Sequence, residues 1–399
     1  MITLAQARQQ LQCLRAELET ESVLIANALG RVASVDVISS LSIPPADNSA
    51  MDGFAVRARD LNSQRTLLPI SQRIPAGIGP EPLIAGTAAR IFTGGVMPVG
   101  ADAVVIQENC NYDELNVTVL KTVSTGANVR PKGQDINDGA KVISGGQKLS
   151  AIDISLLASI GRASVEVYKP IIVALFSTGD ELVEPGQDLK AGQIYNSNRP
   201  LLVALCQQMG FLSYDCGIVE DTLEATKLAL IDAAKNADVI ISSGGVSVGE
   251  EDHVKPAVEA LGELTLWKVQ MKPGKPVAFG NVDGVPFLGL PGNPVSSFTV
   301  FQLLGVPLLN SLQGQNAVEQ ITYPVAAAFS KPISSREEYI RVKIERDSNG
   351  HLHANRFPNL SSGVMSSLSW ADGLVRQDID NAIEVGQKLD FLPLRDAML

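Results

Sequence analysis

The sequence predicts a multidomain α/β protein built around an open, parallel-rich sheet with helices on both faces. Three observations carry this. Between residues 170 and 312, short β-branched apolar runs alternate with helical stretches, the pattern of a parallel sheet with crossover helices. Those runs lead into glycines and acids, as in Ser177-Thr-Gly-Asp-Glu-Leu182 and Ser242-Ser-Gly-Gly245, which is how strands end beside a ligand in such sheets. On either side, 45–138 and 316–399 carry brief β-type runs punctuated by Gly, Pro, Asn and Asp, the texture of small β domains. At 399 residues the chain exceeds one ordinary domain, so several are expected.

The elements follow in order. Thr3 caps a helix whose Leu4, Ala7, Leu11, Leu14 and Leu18 share a face. A second short helix is expected at 22–29, closed by Gly30, and 31–37 alternates like a strand. Pro44-Pro45 breaks the chain. Strands are expected at 54–56, 90–92, 103–106 and 116–120, with turns at Pro75-Ala-Gly77 and Pro98-Val-Gly-Ala-Asp102. Ser150 caps a helix at 151–160 and 163–167 reads as a strand. Because 139–169 matches 1–44 in texture, 45–138 reads as an insertion within one domain. The central region, 170–315, has strands at 171–176, 214–219, 239–242 and 285–290, and helices at 199–209, 222–234, 253–261 and from 294 to about 304. After Tyr323 strands are expected at 325–329, 339–345 and 351–355, with a hairpin turn at Asn349-Gly350, and 382–394 again reads as β.

Composition narrows the function. A net charge of −11 argues against nucleic-acid binding, which needs a basic face. The four cysteines, Cys13, Cys110, Cys206 and Cys216, have no Cys-x-x-Cys spacing, so no zinc knuckle or iron–sulfur ligand set is expected; their scatter fits a reducing compartment. The N-terminus lacks the order of a signal peptide, and no apolar run approaches ~20 residues, so no membrane span and a cytoplasmic location are expected.

The stretch 239–298 concentrates the chemistry. Acids stand after three strands: Asp180 and Glu181, then Glu220 and Asp221, then Glu250, Glu251 and Asp252. Carboxylates gathered at one sheet edge repel unless a hard cation joins them, so Glu181, Asp221 and Asp252, with Asp180, are candidate ligands of Mg²⁺ or its waters. Taken singly each reads better as a solvated loop acid or a helix cap; taken as a set they favour a site. Ser243, Gly244 and Gly245 form a loop whose backbone N–H groups approach an anion closely; two glycines also suit a plain tight turn. No Walker A sequence and no strand-linked Gly-x-Gly-x-x-Gly occurs, so neither phosphate-loop nor dinucleotide sites are expected. Lys268, Lys272 and Lys275 surround a proline-stiffened Lys-Pro-Gly-Lys loop suited to a tetrahedral oxyanion, or to an ordinary basic surface. In Pro291-Gly-Asn-Pro294, Asn293 caps and Pro294 begins a helix whose N-terminus offers N–H groups to an anion. Asp52-Gly53, Thr93-Gly-Gly95 and the loop ending at Asp135 suggest a second wall. The three histidines, His253, His351 and His353, form no catalytic set, leaving acid–base work to carboxylates and metal-bound water.

These residues carry a family resemblance. Pro45-Ala-Asp-Asn-Ser-Ala-Met-Asp-Gly-Phe-Ala55, Ile91-Phe-Thr-Gly-Gly-Val-Met-Pro-Val-Gly-Ala-Asp102, Arg130-Pro-Lys-Gly-Gln-Asp135, Ser177-Thr-Gly-Asp-Glu-Leu182, the loop from Ser242 to Asp252, Lys272-Pro-Gly-Lys-Pro276 and Leu290-Pro-Gly-Asn-Pro294 resemble, in order along essentially the whole chain, the molybdopterin molybdenumtransferases of the MoeA family, similar to the gephyrin E domain. The resemblance implies an elongated helix-containing domain from 1–44 plus 139–169, an inserted β domain at 45–138, a molybdopterin-binding-type α/β domain at 170–315 and a C-terminal β barrel at 316–399. It implies a homodimer with a cleft shared between subunits, and insertion of molybdate into adenylylated molybdopterin with release of AMP and a need for Mg²⁺. A molybdopterin adenylyltransferase would be an upstream partner. Motif by motif, it places functional positions at Asp52, Thr93, Asp135, Glu181, Asp221, Asp252, Lys268, Lys272, Pro291 and Pro294. Asn196 stands where many relatives carry Asp, and 335–341 is a loose form of the family's C-terminal motif. A scaffold of the gephyrin type and an adenylyltransferase acting on molybdopterin remain as alternative functions.

Overall fold

A computed structural model describes the chain except residues 15, 62–64, 247–252, 318–319 and 395–399, and the side chains of 266 and 267. Thr3 caps the first helix, Leu4–Gln12, through a reciprocal capping box with Gln6. The helix stops before Leu14 and Leu18, but both still pack on the same core. The helix expected at 22–29 is instead a strand, Thr20–Leu24, and a 3₁₀ turn, Ile25–Asn27. The strand runs antiparallel to Ser164–Tyr168, which satisfies its backbone groups along one edge; a two-turn helix with little buried face would have lacked such support. Val37–Ile38 pairs with Lys141–Ile143. Both pairings join chain on the two sides of 45–138.

Between them lies a curved six-stranded sheet in the order 103–106, 53–56, 88–91, 66–74, 116–119 and 110–112. Its strands are short and turn-separated, as composition indicated. The long strand Thr66–Ile74 was not expected, because Pro69 interrupts its alternation.

The central sheet has the order 212–219, 172–178, 239–243, 285–290, 276–282 and 262–268. The first four strands are mutually parallel. The last two, Gly262–Lys268 and Pro276–Val282, are antiparallel and were missed in the sequence; glycines and a proline dilute their apolar pattern. Helices Asn198–Met209, Leu223–Asn236 and Val254–Leu261 cover its faces. From Pro294 the chain is helical to Leu312, through a π-type turn at Phe301–Gly305. This 19-residue stretch matches a membrane span in length and apolarity, contrary to the expectation that no run would, yet 78% of its most apolar 18-residue window is buried inside the protein. It is a core helix: Val300, Phe301, Leu304 and Leu308 share one apolar cluster with Leu4, Leu11 and the sheet.

The C-terminal strands Tyr323–Ala327, Glu337–Arg346, Leu352–Arg356, Gly373–Gln377 and Lys388–Pro393 close into a five-stranded barrel. Gly373–Gln377 was not anticipated. Met271–Lys272 pairs with Glu337–Glu338 at the barrel's rim, which ties the Lys-Pro-Gly-Lys loop to this domain. The fold class read from the sequence holds, with a central sheet that is mixed and not wholly parallel.

Candidate functional site

The parallel strands end at Thr178, Val219, Ser243 and Leu290, and a cavity of about 790 Å³ opens beyond those ends. The expected loops meet there: Glu181, Asp221, Ser243, Gly244, Gly245 and the 291–294 turn all line it. Gly244 and Gly245 adopt positive φ, +100° and +68°. A Cβ on Gly244 would lie 2.9 Å from the Thr178 carbonyl, so glycine is required by both conformation and space. The Gly244 N–H is bound to the Leu290 carbonyl, 3.1 Å, which fixes the loop to the neighbouring strand end.

The two described carboxylates are held differently. Thr178, buried at the end of its strand, donates its hydroxyl to Asp221 Oδ1 at 3.1 Å. Glu181 is exposed and folds back over its own turn; a Cβ on Gly179, at φ +145°, would come within 2.6 Å of its carboxylate. Asp180 is exposed and does not line the cavity. Asp252 lies outside the described residues. Among the described residues no group of three or more His, Cys, Asp or Glu gathers as a metal cage. Two carboxylates lining one cavity nevertheless suit Mg²⁺, which takes one or two from protein and fills its remaining positions with water and phosphate oxygens.

Beside Asn196, the floor contains Asn198 and Arg199, to which sequence reasoning gave no role. Asn198 donates to Ser243 Oγ, 2.9 Å, and to the Gly292 carbonyl, 2.7 Å, so one side chain ties two loops together. Asn196 Nδ2, Asn198 Oδ1 and Ser242 Oγ are buried and have no partner in the protein. Buried polar atoms of this kind are normally satisfied; Asn196 and Asn198 line the cavity and offer it a donor and an acceptor. Arg199 beneath them is pinned by both Glu184 oxygens, 2.6 Å each, and by Asp215. The signal was present in the polar run Tyr195-Asn-Ser-Asn-Arg199 opening an otherwise apolar helix. Leu182, Ile194, Tyr195, Val246 and Met365 give the cavity an apolar side.

Asn293 departs from expectation. It occupies the cap position, but its side chain makes no capping bond, and the Val295 N–H goes to the Ser362 carbonyl at 3.0 Å. The barrel therefore takes up part of this helix terminus.

The three lysines are placed differently from one another. Lys268 and Lys275 are exposed and line neither this cavity nor its neighbour. Lys272 lines a second cavity of about 440 Å³ with Ser296, Arg336, Arg341, Ser361 and Ser362. Arg341 is 1% exposed. Its Nη2 donates to the Asn359 and Ser361 carbonyls, while Nε has no partner. Burial draws its guanidinium below the ordinary value and the nearby Glu338 charge opposes that. An arginine at an inward position of a barrel strand was the available sequence signal. The two cavities adjoin: the segments 274–276, 294–296 and 362–363 each contribute residues to both.

In the inserted domain the Thr93 N–H and hydroxyl both donate to Asp52 Oδ1, 2.8 Å each, and hold that carboxyl below its usual range. Arg90 stacks on Phe54, Phe92 and Tyr112, and donates to the Gly53 carbonyl and to Gln107, bracing the loop. Asp135 is exposed and is not joined to this pair. Among the described residues, none from 45–138 lines either cavity. His351 and His353 both face Asp347, at 3.4 and 3.1 Å, and away from the cavities. The thiols are equally remote from the chemistry: burial pushes Cys110 and Cys216 up to about 11 and Cys206 to about 12.

Comparison with known proteins covers three stretches of the chain. Residues 2–161 match the MoeA N-terminal region (domain I and II), 174–311 a probable molybdopterin binding domain, and 324–394 the MoeA C-terminal region (domain IV). A molybdopterin molybdenumtransferase of Haemophilus influenzae is 40% identical over 317 residues, 79% of this chain and 78% of that protein. Gephyrin of Dictyostelium discoideum is 32% identical over 89% of this chain, which spans 56% of gephyrin. The crystal structure of a molybdopterin biosynthesis MoeA protein from Pyrococcus horikosii superposes with a TM-score of 0.81 at 31% identity, covering 99% of both chains.

Proposed function

The chain belongs to the MoeA family of molybdopterin molybdenumtransferases, a transferase of molybdenum cofactor biosynthesis, and from that premise we propose that it inserts molybdate into adenylylated molybdopterin with release of AMP. One observation carries the finer reading: a carboxylate- and glycine-lined cavity with an apolar side opens beside a basic cavity across shared walls. The first suits a pterin bearing phosphates. The second suits a tetrahedral oxyanion.

In this reading Asn196 and Asn198 meet the polar edge of the substrate, and Leu182, Ile194 and Tyr195 pack on its flat face. The 243–245 loop brings backbone against the phosphates. Lys272, Arg336 and Arg341 hold molybdate, with Ser296, Ser361 and Ser362 as hydrogen-bonding groups. The two dithiolene thiols give their protons to one molybdate oxygen, which leaves as water as two Mo–S bonds form; a water oxygen forms a bond to phosphorus and gives up its proton, the phosphoanhydride P–O bond breaks, and AMP leaves with its electron pair. Glu181 and Asp221 would hold Mg²⁺, with Thr178 orienting Asp221. Bound there, the ion would neutralise charge on the phosphoryl oxygens. Asp52 and Thr93 lie on the inserted domain, apart from both cavities, so a second copy of the chain would supply them to a composite site. Dilution that separates such a dimer would then abolish turnover, and an active monomer would refute that part.

The test is direct. Purified protein is incubated with adenylylated molybdopterin, molybdate and Mg²⁺, while AMP is followed by chromatography and cofactor by reconstitution of a cofactor-free molybdoenzyme. Both products should appear together and depend on molybdate. Binding of a partner peptide with no AMP would favour the scaffold alternative. ATP consumption with bare molybdopterin would favour the adenylyltransferase alternative.

A further inference from the structure

The basic cavity contains one carboxylate that does not fit an oxyanion site. Glu338 is only 3% exposed. Its Oε2 lies 2.7 Å from Lys331 Nζ and 3.3 Å from Lys272 Nζ. The two lysines are not equivalent. Lys331 has a side chain 10% exposed and also donates to Gln377 Oε1 at 3.0 Å. Gln377 in turn donates to the Pro332 and Asn381 carbonyls, so this partner is locked behind the wall. The Lys272 side chain is 44% exposed and reaches Glu338 across the parallel pairing of Met271–Lys272 with Glu337–Glu338. It is the exposed end of the triad, and it lines the cavity that also holds Arg341, whose Nε is unpartnered.

We propose that Glu338 is a built-in counter-anion: it competes with the incoming oxyanion for Lys272 and keeps that ligand loosely held. The inference rests on the reading of this cavity as the oxyanion site. Pure attraction from Lys272, Arg336 and Arg341 would trap a dianion that must be given up to the pterin dithiolene. A fixed negative charge on the same wall lowers the net field without removing the hydrogen-bond donors. The energy it costs a bound anion scales with that anion's charge, so the penalty on a dianion, as a factor in affinity, is the square of that on a monoanion of equal size.

Tungstate and perrhenate are tetrahedral oxyanions of near-equal size carrying two charges and one. Calorimetric titration of each into wild-type protein and into Glu338→Gln tests the proposal without pterin substrate. Glu338→Gln should bind tungstate about ten-fold tighter and perrhenate about three-fold tighter. Equal or weaker tungstate binding in the variant overturns the counter-anion role, and so does an equal gain for both anions. Failure of the wild type to bind tungstate at all overturns the oxyanion site itself, and the proposal with it. If the single variant does not fold, Lys331→Met with Glu338→Met leaves no buried unpaired charge and no change in the summed charge of the wall, so it isolates the competition for Lys272. Lys272 is then released, tungstate should still tighten, and an unchanged affinity overturns the proposal.

Discussion

Replacing Thr178 by Val tests whether Asp221 acts in the reaction and how much its orientation contributes. The two side chains have nearly the same shape, and Thr178 is 5% exposed at the end of a central strand, where Val is well accommodated. The change therefore removes one interaction, the hydroxyl donated to Asp221 Oδ1 at 3.1 Å. Hydrogen bonds to charged groups are worth ~1.5–3 kcal/mol. This one is long for a hydroxyl–carboxylate pair and its acceptor is half-buried, so the low end applies, about 1.5 kcal/mol. If that energy holds Asp221 in its working rotamer, release of AMP should slow about ten-fold. Unfolding free energy should fall by no more than about 1.5 kcal/mol, because the shape of the side chain is kept and only this bond is lost. Thr178→Ser keeps the donor and should keep most of the rate. A Thr178→Val protein that releases AMP at the wild-type rate would refute the argument and separate Asp221 from the chemistry.

Other outcomes follow from the same geometry. Gly244→Ala forces an L side chain to φ +100° and sets its Cβ 2.9 Å from the Thr178 carbonyl, so urea denaturation should show a loss of about 1–3 kcal/mol. Glu181→Gln and Asp221→Asn should leave the unfolding transition in place and slow AMP release, and wild-type turnover in both would remove them from the mechanism. Thr93→Val deletes the hydroxyl bond to Asp52, whose carboxyl is held down chiefly by the Thr93 backbone N–H and then by this hydroxyl; its pKa, followed by NMR titration, should move up toward the ordinary carboxylate value. The sign matters for stability. A depressed folded-state pKa stabilises above the unfolded value and the benefit is lost as pH falls through the folded value, so the variant should differ least from wild type in acid.

Much of this was legible before any coordinates. Parallel strands announce themselves by apolar runs that end in glycine, and the residues after 176, 219 and 242 converge for a topological reason: parallel strands side by side deliver their C-terminal loops to one edge. The positive φ of Gly244 and the cap on Leu4–Gln12 are likewise local facts, written in adjacent residues. The strand Thr20–Leu24 was not legible because its partner, Ser164–Tyr168, lies across the whole inserted domain, and nothing within 20–24 records that pairing.

The lysines show the same division more sharply. Lys268, Lys272 and Lys275 look alike in sequence: all are basic and within eight residues, and the last two each precede a proline. Chain geometry separates them. Lys268 ends one antiparallel strand opposite Pro276, which leaves Lys268 and Lys275 exposed on the outer edge of the sheet. Lys272 alone sits where the loop pairs with the barrel, and it acquires a pocket only because Glu338, Arg341 and Ser362 arrive from residues at least 66 positions later. A basic motif thus encodes the capacity to bind an anion, while the choice among its members belongs to a long-range strand pairing. That is why Asp221, fixed by a neighbouring strand end, lines the cavity at the end of the parallel strands, and why Lys272 alone of the three lysines lines a cavity beside it.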